Sequence, residues 1–166
     1  FPNILANPNL GIAVGMASNI CSFNIRELCD TTIALMKDKN ADITETLLAP
    51  DLPGGGQILY DKALFSSIYE TGRGTFKVRS KWRYDKKNQC IEVYEIPYTT
   101  QAELIIEAIA KLVKDGKAKE ISDLRDETDL SGLKITIDVK RGTDPDKLMA
   151  LLFSKTPLED SFGCNF

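Results

Sequence analysis

Between Arg73 and Lys87 the sequence RGTFKVRSKWRYDKK places Lys77, Arg79, Lys81 and Arg83 at alternate positions, interleaved with Phe76, Val78, Ser80, Trp82 and Tyr84. A period of two is that of an extended strand, whose successive side chains point to opposite faces. One face would be largely apolar, and the other would carry four cations ~6.6–6.8 Å apart, close to the spacing of phosphates along an extended nucleic-acid backbone. With Arg73, Lys86 and Lys87, the stretch sets seven cations against Asp85 in a chain of net charge −3. The chemistry it suggests is contact with phosphate. The same pattern also describes a solvated sheet face whose charges are neutralised by neighbours such as Glu92 and Asp138.

A second stretch, ANPNLGIAVGMASNI at residues 6–20, holds small and apolar residues with no charge among them. Its default reading is a buried strand or core contact. An apolar side chain on a glycine-flanked loop, here Ile12, can also act as a wedge between base pairs in proteins that kink DNA. The glycine clusters GIAVG, GGG and GRG lack both the GK[ST] ending of a phosphate loop and the GxGxxG spacing of a dinucleotide fold, so they read as turns. Asp123, Asp126, Glu127 and Asp129 lack the spacing and central glycine of a calcium loop and read as a turn pairing with Arg125. No metal site is assigned.

Composition narrows the classes further. Histidine is absent, which removes the commonest general base and zinc ligand and argues against a self-contained hydrolase. Cys21, Cys29, Cys90 and Cys164 form no CxxC pair and read as reduced thiols of a cytoplasmic protein. No apolar run approaches the ~20 residues of a membrane span. The start at Phe1 and the apolar end SFGCNF read as a piece of a longer polypeptide.

Elements to position these residues follow from periodicity. Asn24 and Glu27 form a capping box for a helix over 25–37, with Ile25, Leu28, Cys29, Thr32, Ile33 and Met36 as its apolar stripe. A short helix is expected over about 43–49, a loop over APDLPGGGQ, and a helix from Asp61 that stops at Gly72. The strand from Gly74 to Tyr84 turns at DKKNQ into CIEVYEI. Thr100 and Glu103 cap a helix with Ala102, Ile105, Ile106, Ile109, Leu112 and Val113 facing inward. SDLRDETDLSG reads as polar turns, LKITIDVKR as a strand, and Asp144-Pro145 as the start of a last helix. The fold class is therefore α+β: a small, mostly antiparallel sheet with helices on one face (72–166), preceded by a mainly helical, loop-rich lobe (1–71).

Several strings then resemble one family in its own order: FPNILANPNLGIAVGMASNI, YETGRGTFKVRSKWRY, EIPY, LIIEAIAKLVKDGK, ISDLRDETDLSGLKITIDVKR and SFGCNF. They resemble the A subunit of the bacterial type IIA topoisomerases, DNA gyrase and topoisomerase IV. The resemblance implies the tower portion of that subunit, lying between the winged-helix region with the catalytic tyrosine and the coiled-coil dimer gate. The partners it implies are double-stranded DNA, the B subunit, and a second A subunit. It also implies a bacterial cytoplasmic, nucleoid-associated location and no membrane. Magnesium and ATP would be handled by the B subunit, with no cofactor on this chain.

The family's tyrosine motif does not match Tyr60, Tyr69, Tyr84, Tyr94 or Tyr98, so no catalytic residue is expected here and the chain alone should not cleave DNA. Its implied role is to bind and bend the gate DNA for ATP-dependent strand passage. Ile12 is the implied intercalating wedge, and Arg73, Lys77, Arg79, Lys81 and Arg83 are the implied backbone contacts. The chain departs from many relatives at Cys21-Ser22-Phe23, where they carry Pro-Pro-His, and at TTQAELI, where they often carry VNKARLI and a further basic residue. The alternatives are a structural brace that binds no DNA by itself and, more remotely, a small-molecule regulatory module.

Overall fold

The computed structural model describes residues 2–166. The protein is α+β, with four helices and two antiparallel sheets of five and four strands. Its contacts divide it into two compact units. One takes in the residues up to Pro53, Ile58–Lys77 and Ser161–Phe166; the other takes in Gly54–Gln57 and Val78–Asp160. The first unit thus runs past the boundary near residues 71–74 read from the sequence and also claims the C-terminal segment.

The first unit opens with a hairpin of β1 (Asn9–Ala13) and β2 (Met16–Ile20), followed by α1 (Ile25–Lys37). Asn24 caps α1 by accepting from the amides of Arg26 (3.0 Å) and Glu27 (3.5 Å). The expected capping box is only half formed, because the Glu27 carboxylate accepts from the Leu48 amide instead (3.3 Å). The face that α1 buries also differs from the expected stripe. Thr31 donates to the Glu27 carbonyl and shares a 2.8 Å hydroxyl contact with Thr46, so Leu28 and Thr31 face inward while Ile25, Ile33 and Met36 are exposed. The helix expected over 43–49 is a single 3-10 turn, Ile43–Glu45.

The short strand β3 (Gln57–Ile58) precedes α2 (Lys62–Thr71), which is capped by Asp61 and ended by Gly72 in the left-handed region. The core of this unit is a chain of rings in which Phe65 lies 5.4 Å from Phe76 and Phe76 stacks on Phe162 at 5.3 Å. The last strand, β9 (Glu159–Asn165), supplies Phe162 and Cys164 to that core from the segment that had no assigned structure. The five-stranded sheet runs β1-β2-β9-β4-β3.

The strand expected from Gly74 to Tyr84 is broken into β4 (Arg73–Arg79) and β5 (Lys81–Asp85), which belong to different sheets. Ser80 marks the break: it is fully buried and its amide donates to the Leu158 carbonyl (2.8 Å), a partner outside either ladder. In the second unit the sheet runs β5-β6-β8-β7, with β6 at Cys90–Glu95, β7 at Ile121–Asp126 and β8 at Ile135–Val139. The first part of the stretch read as polar turns, Ser122–Asp126, therefore belongs to β7, while the rest of it lies outside the named strands. Only Ile121 of β7 is buried, as an edge strand tolerates.

Helices α3 (Ala102–Lys114) and α4 (Pro145–Lys155) bury Ile105, Ile109, Met149 and Leu152 against Ile91, Val93, Ile135 and Ile137. Thr100 does not cap α3: the N-cap is Gln101, without a side-chain bond, and the buried Thr100 hydroxyl has no partner among the described residues. On the outer side of β6, Glu92 accepts from Arg83 (2.5 Å) and pairs with Lys134 (3.1 Å), and both cations, Arg83 first, hold its carboxyl below the usual range.

Two outcomes are expected. A Cβ on Gly74 would lie 2.4 Å from Cγ1 of the buried Ile68, so Gly74→Ala should lower stability in denaturant titration by about 1–3 kcal/mol. Because the folded-state value of Glu92 is depressed, its contribution is fully present above the unfolded-state value of about 4.3 and is lost as pH falls below that and through the lower folded-state value. Glu92→Gln should therefore flatten the decline of the melting temperature between about pH 5 and 3; parallel curves would refute this.

Candidate nucleic-acid interface

The uncharged opening stretch folds into a hairpin because β1 and β2 pair in register from Asn9↔Ile20 to Ala13↔Met16 around Val14-Gly15. Gly15, at φ 83°, supplies the left-handed position that the reversal needs. The default reading of this run as buried is overturned. Ile12 is 82% exposed, Val14 is fully exposed, and Leu10 and Met16 are mostly exposed. Periodicity cannot separate a strand that faces a core from one that faces water when both faces are apolar, which is why the sequence left the two readings open.

The base of the hairpin is fastened. Asn19 lies opposite Asn165, the Asn19 amide donates to the Gly163 carbonyl (2.8 Å), and the Asn165 amide donates to the Ala17 carbonyl. Beside the hairpin lies a groove of about 690 Å³ lined by Ile12, Met16, Ser18, Arg73, Asn165 and Phe166 among others. Arg73 is exposed, and among the described residues its guanidinium makes no ion pair. The fold thus brings together Ile12 and Arg73, a wedge candidate and a cation, which the sequence presented as separate signals.

The other candidate cations are placed differently. The stripe is divided between β4 and β5, and its members hold carboxylates. Arg79 donates from Nε to Glu159 (2.5 Å) and lies 5.1 Å from the Phe153 ring centre. Lys81 pairs with Glu95 (2.9 Å), which also accepts from the Gly56 amide, and Arg83 pairs with Glu92 while lying 6.0 Å from the Tyr94 ring centre. The partner carboxylates raise the values of Lys81 and Arg83, so both stay charged. Lys77 is also engaged. The neutralisation foreseen through Glu92 occurs; Asp138 pairs instead with Arg125 (3.0 Å).

The departures at residues 21–23 are all built into the core. Phe23 meets Tyr69 edge to face at 5.9 Å, Ser22 donates to the Asp51 carbonyl, and the buried Cys21 thiol, hydrogen-bonded with Cys164, is held well above its ordinary value. Tyr69 is pushed up by burial, and its hydroxyl has no partner among the described residues.

Among the described residues one group of potential metal ligands comes together, Asp85, Cys90 and Glu92, with ligand atoms within 4.8 Å of one another. These residues do not fit a magnesium ion. Glu92 is held by two cations, Asp85 accepts from the amides of Lys87 and Asn88 in the hairpin turn, and burial raises the Cys90 thiol. The acidic run of β7 and its loop is likewise engaged locally, with Arg125 beside Asp123, Glu127 and Asp138, and Asp129 accepting from Ser131. No helix among the described residues is long and apolar enough to cross a membrane.

Comparison with known proteins gives the family. The family model for the A subunit of DNA gyrase/topoisomerase IV matches residues 1–166. The chain is similar to the DNA gyrase A subunit of Borreliella burgdorferi, at 36% identity over 171 residues covering 99% of this chain and 21% of that protein. It is 41% identical to the DNA gyrase A subunit of Ureaplasma parvum, with 99% and 20% covered. With the DNA topoisomerase 4 A subunit of Rickettsia felis it shares 42% identity, with 99% and 23% covered. The chain spans about a fifth of the length of these relatives. With a match along its whole length and these identities, the chain belongs to the A-subunit family of DNA gyrase and topoisomerase IV.

Proposed function

We propose that this chain is the tower portion of a type IIA topoisomerase A subunit, and that it binds and bends the gate segment of double-stranded DNA during ATP-dependent strand passage in the bacterial cytoplasm. The observation that carries this reading is the hairpin: an exposed apolar tip anchored at its base, with the unpaired Arg73 lining the groove beside it. Apolar side chains held in water lose nothing on entering a base stack, and a wedge there costs a few kcal/mol of unstacking that a bent duplex offsets with further contacts. Ile12 is the wedge and Arg73 the adjoining phosphate contact. Both act without base-specific readout, because phosphate contacts and deformability carry the binding. Magnesium and ATP belong to the B subunit, the tyrosine chemistry belongs to other parts of the A subunit, and a second A subunit completes the enzyme.

A second reading, a structural brace, is favoured by one observation. Arg79, Lys81 and Arg83 already hold Glu159, Glu95 and Glu92, so phosphate can be engaged there only by exchanging one anion for another.

A duplex of ~30 base pairs carrying a fluorophore at each end separates the readings, since energy transfer reports bending and anisotropy reports binding. Ile12→Ala removes a side chain that is 82% exposed, so the melting temperature should hold while the bend is reduced. An undiminished bend with unchanged affinity would refute the wedge, and the absence of any binding at low salt would leave the brace.

A further inference from the structure

Arg79, Lys81 and Arg83, which the sequence signals, hold carboxylates, whereas a group of cations that it does not signal holds few. Helix α3 ends in a Schellman turn: Gly116 is left-handed at φ 71°, its amide donates to the Val113 carbonyl (3.0 Å), and the Lys117 amide donates to the Leu112 carbonyl (2.9 Å). The turn is pinned by Ala118, which is fully buried, so Lys117 and Lys119 on either side of it are directed into solvent. Across the edge ladder, Val139 is buried opposite Ile121, and the chain emerges there as exposed Lys140 and Arg141. The Lys140 amide donates to the Glu120 carbonyl (2.8 Å) and its ammonium to the Lys119 carbonyl, which fixes the two segments side by side.

Lys114, Lys117, Lys119, Lys140 and Arg141 thus lie at the end of α3, in the turn after it and at the end of β8, where Asp115 and Glu120 are the acidic residues within those segments. The only ion pair among them within the described residues is Lys117 with Asp115, at 4.0 Å and with both side chains exposed. Such a pair contributes little. Lys114 also complements the C-terminal end of the α3 dipole, but that role asks nothing of Lys117, Lys119, Lys140 or Arg141.

We infer that this cluster is a second backbone-contact site for duplex DNA, separate from the hairpin. The inference rests on the reading of the chain as a DNA-binding tower. Duplex DNA carries one negative charge per ~1.7 Å of its axis and releases condensed counterions when cations replace them, so unpaired lysines and arginines gain most from it. The cluster offers flexible donors on a fixed backbone and no apolar wedge, which suits phosphate contact without sequence preference.

The test measures anisotropy of the same ~30-base-pair duplex over a salt series. It compares the parent chain, Ile12→Ala, a Lys117→Gln/Lys119→Gln/Lys140→Gln/Arg141→Gln variant, and the milder Lys117→Gln/Arg141→Gln pair, which leaves the Lys140–Lys119 hydrogen bond in place. The fourfold variant should bind at least ~10-fold more weakly at ~100 mM salt, and every phosphate that is no longer neutralised should reduce the log–log slope by about 0.9. The pair should fall between it and the parent. Unchanged affinity and slope in both cluster variants, with bending lost in Ile12→Ala, would overturn the cluster as a DNA site and leave the wedge standing, the cluster then facing an acidic protein surface. If the parent fails to bind duplex at low salt, both the tower reading and this inference fall.

Discussion

The pairing of the last strand with the second is the constraint on which the exposed apolar face depends. An apolar hairpin with both faces in water has little reason to keep its shape, since an isolated two-stranded ribbon is marginal at best. Here β2 is held at its base by β9: Asn19 and Asn165 reach across to the carbonyls of Gly163 and Ala17, and Phe162, two residues before Cys164, stacks on Phe76 in the core of the first unit. The exposed tip is therefore carried by a packed foot. Residues 144 to 148 positions apart in the chain cooperate to present Ile12.

Charge is distributed by a comparable logic. On β4 and β5 the cations lie opposite carboxylates supplied by β6 and β9, which lets a stripe of like charges stand at alternate positions without repelling itself. The turn after α3 and the end of β8 are hydrogen-bonded to each other, and among the described residues Lys119, Lys140 and Arg141 make no ion pair there. One set of cations is paired within the fold, and the other makes few pairs among the described residues. Charge counted along a sequence does not distinguish them; the partners on neighbouring strands do.

Much of the fold was legible. Asn24, Asp61 and Asp144 announced three of the helix starts, though Thr100 did not cap the fourth, and Gly72 and Gly116 announced two of the ends, because caps are local chemistry. What escaped depended on partners distant in sequence. The break at Ser80 answers to the Leu158 carbonyl, and the inward face of α1 is set by the hydroxyl of Thr46. β7 is an edge strand whose charges hide its pairing with β8. Of the candidate site, the residues of the hairpin were legible, but their exposure was not, since nothing in GIAVG tells whether a core or water lies beside it.

On the proposed reading, the wedge and the cations solve one problem between them. Unstacking a base step and bending a site of 20–30 base pairs cost several kcal/mol together, and an apolar tip supplies no attraction at a distance. A chain of net charge −3 cannot draw a duplex by its overall field, so the attraction must come from local groups that are not already neutralised. Exchange of Glu92 for a phosphate at Arg83 replaces one anion by another and gains little, whereas a phosphate at Arg73 or Lys119 replaces water and a diffuse counterion. On that reading the cations without a carboxylate partner, rather than the most conspicuous alternating stripe, are the ones with most to gain from a duplex.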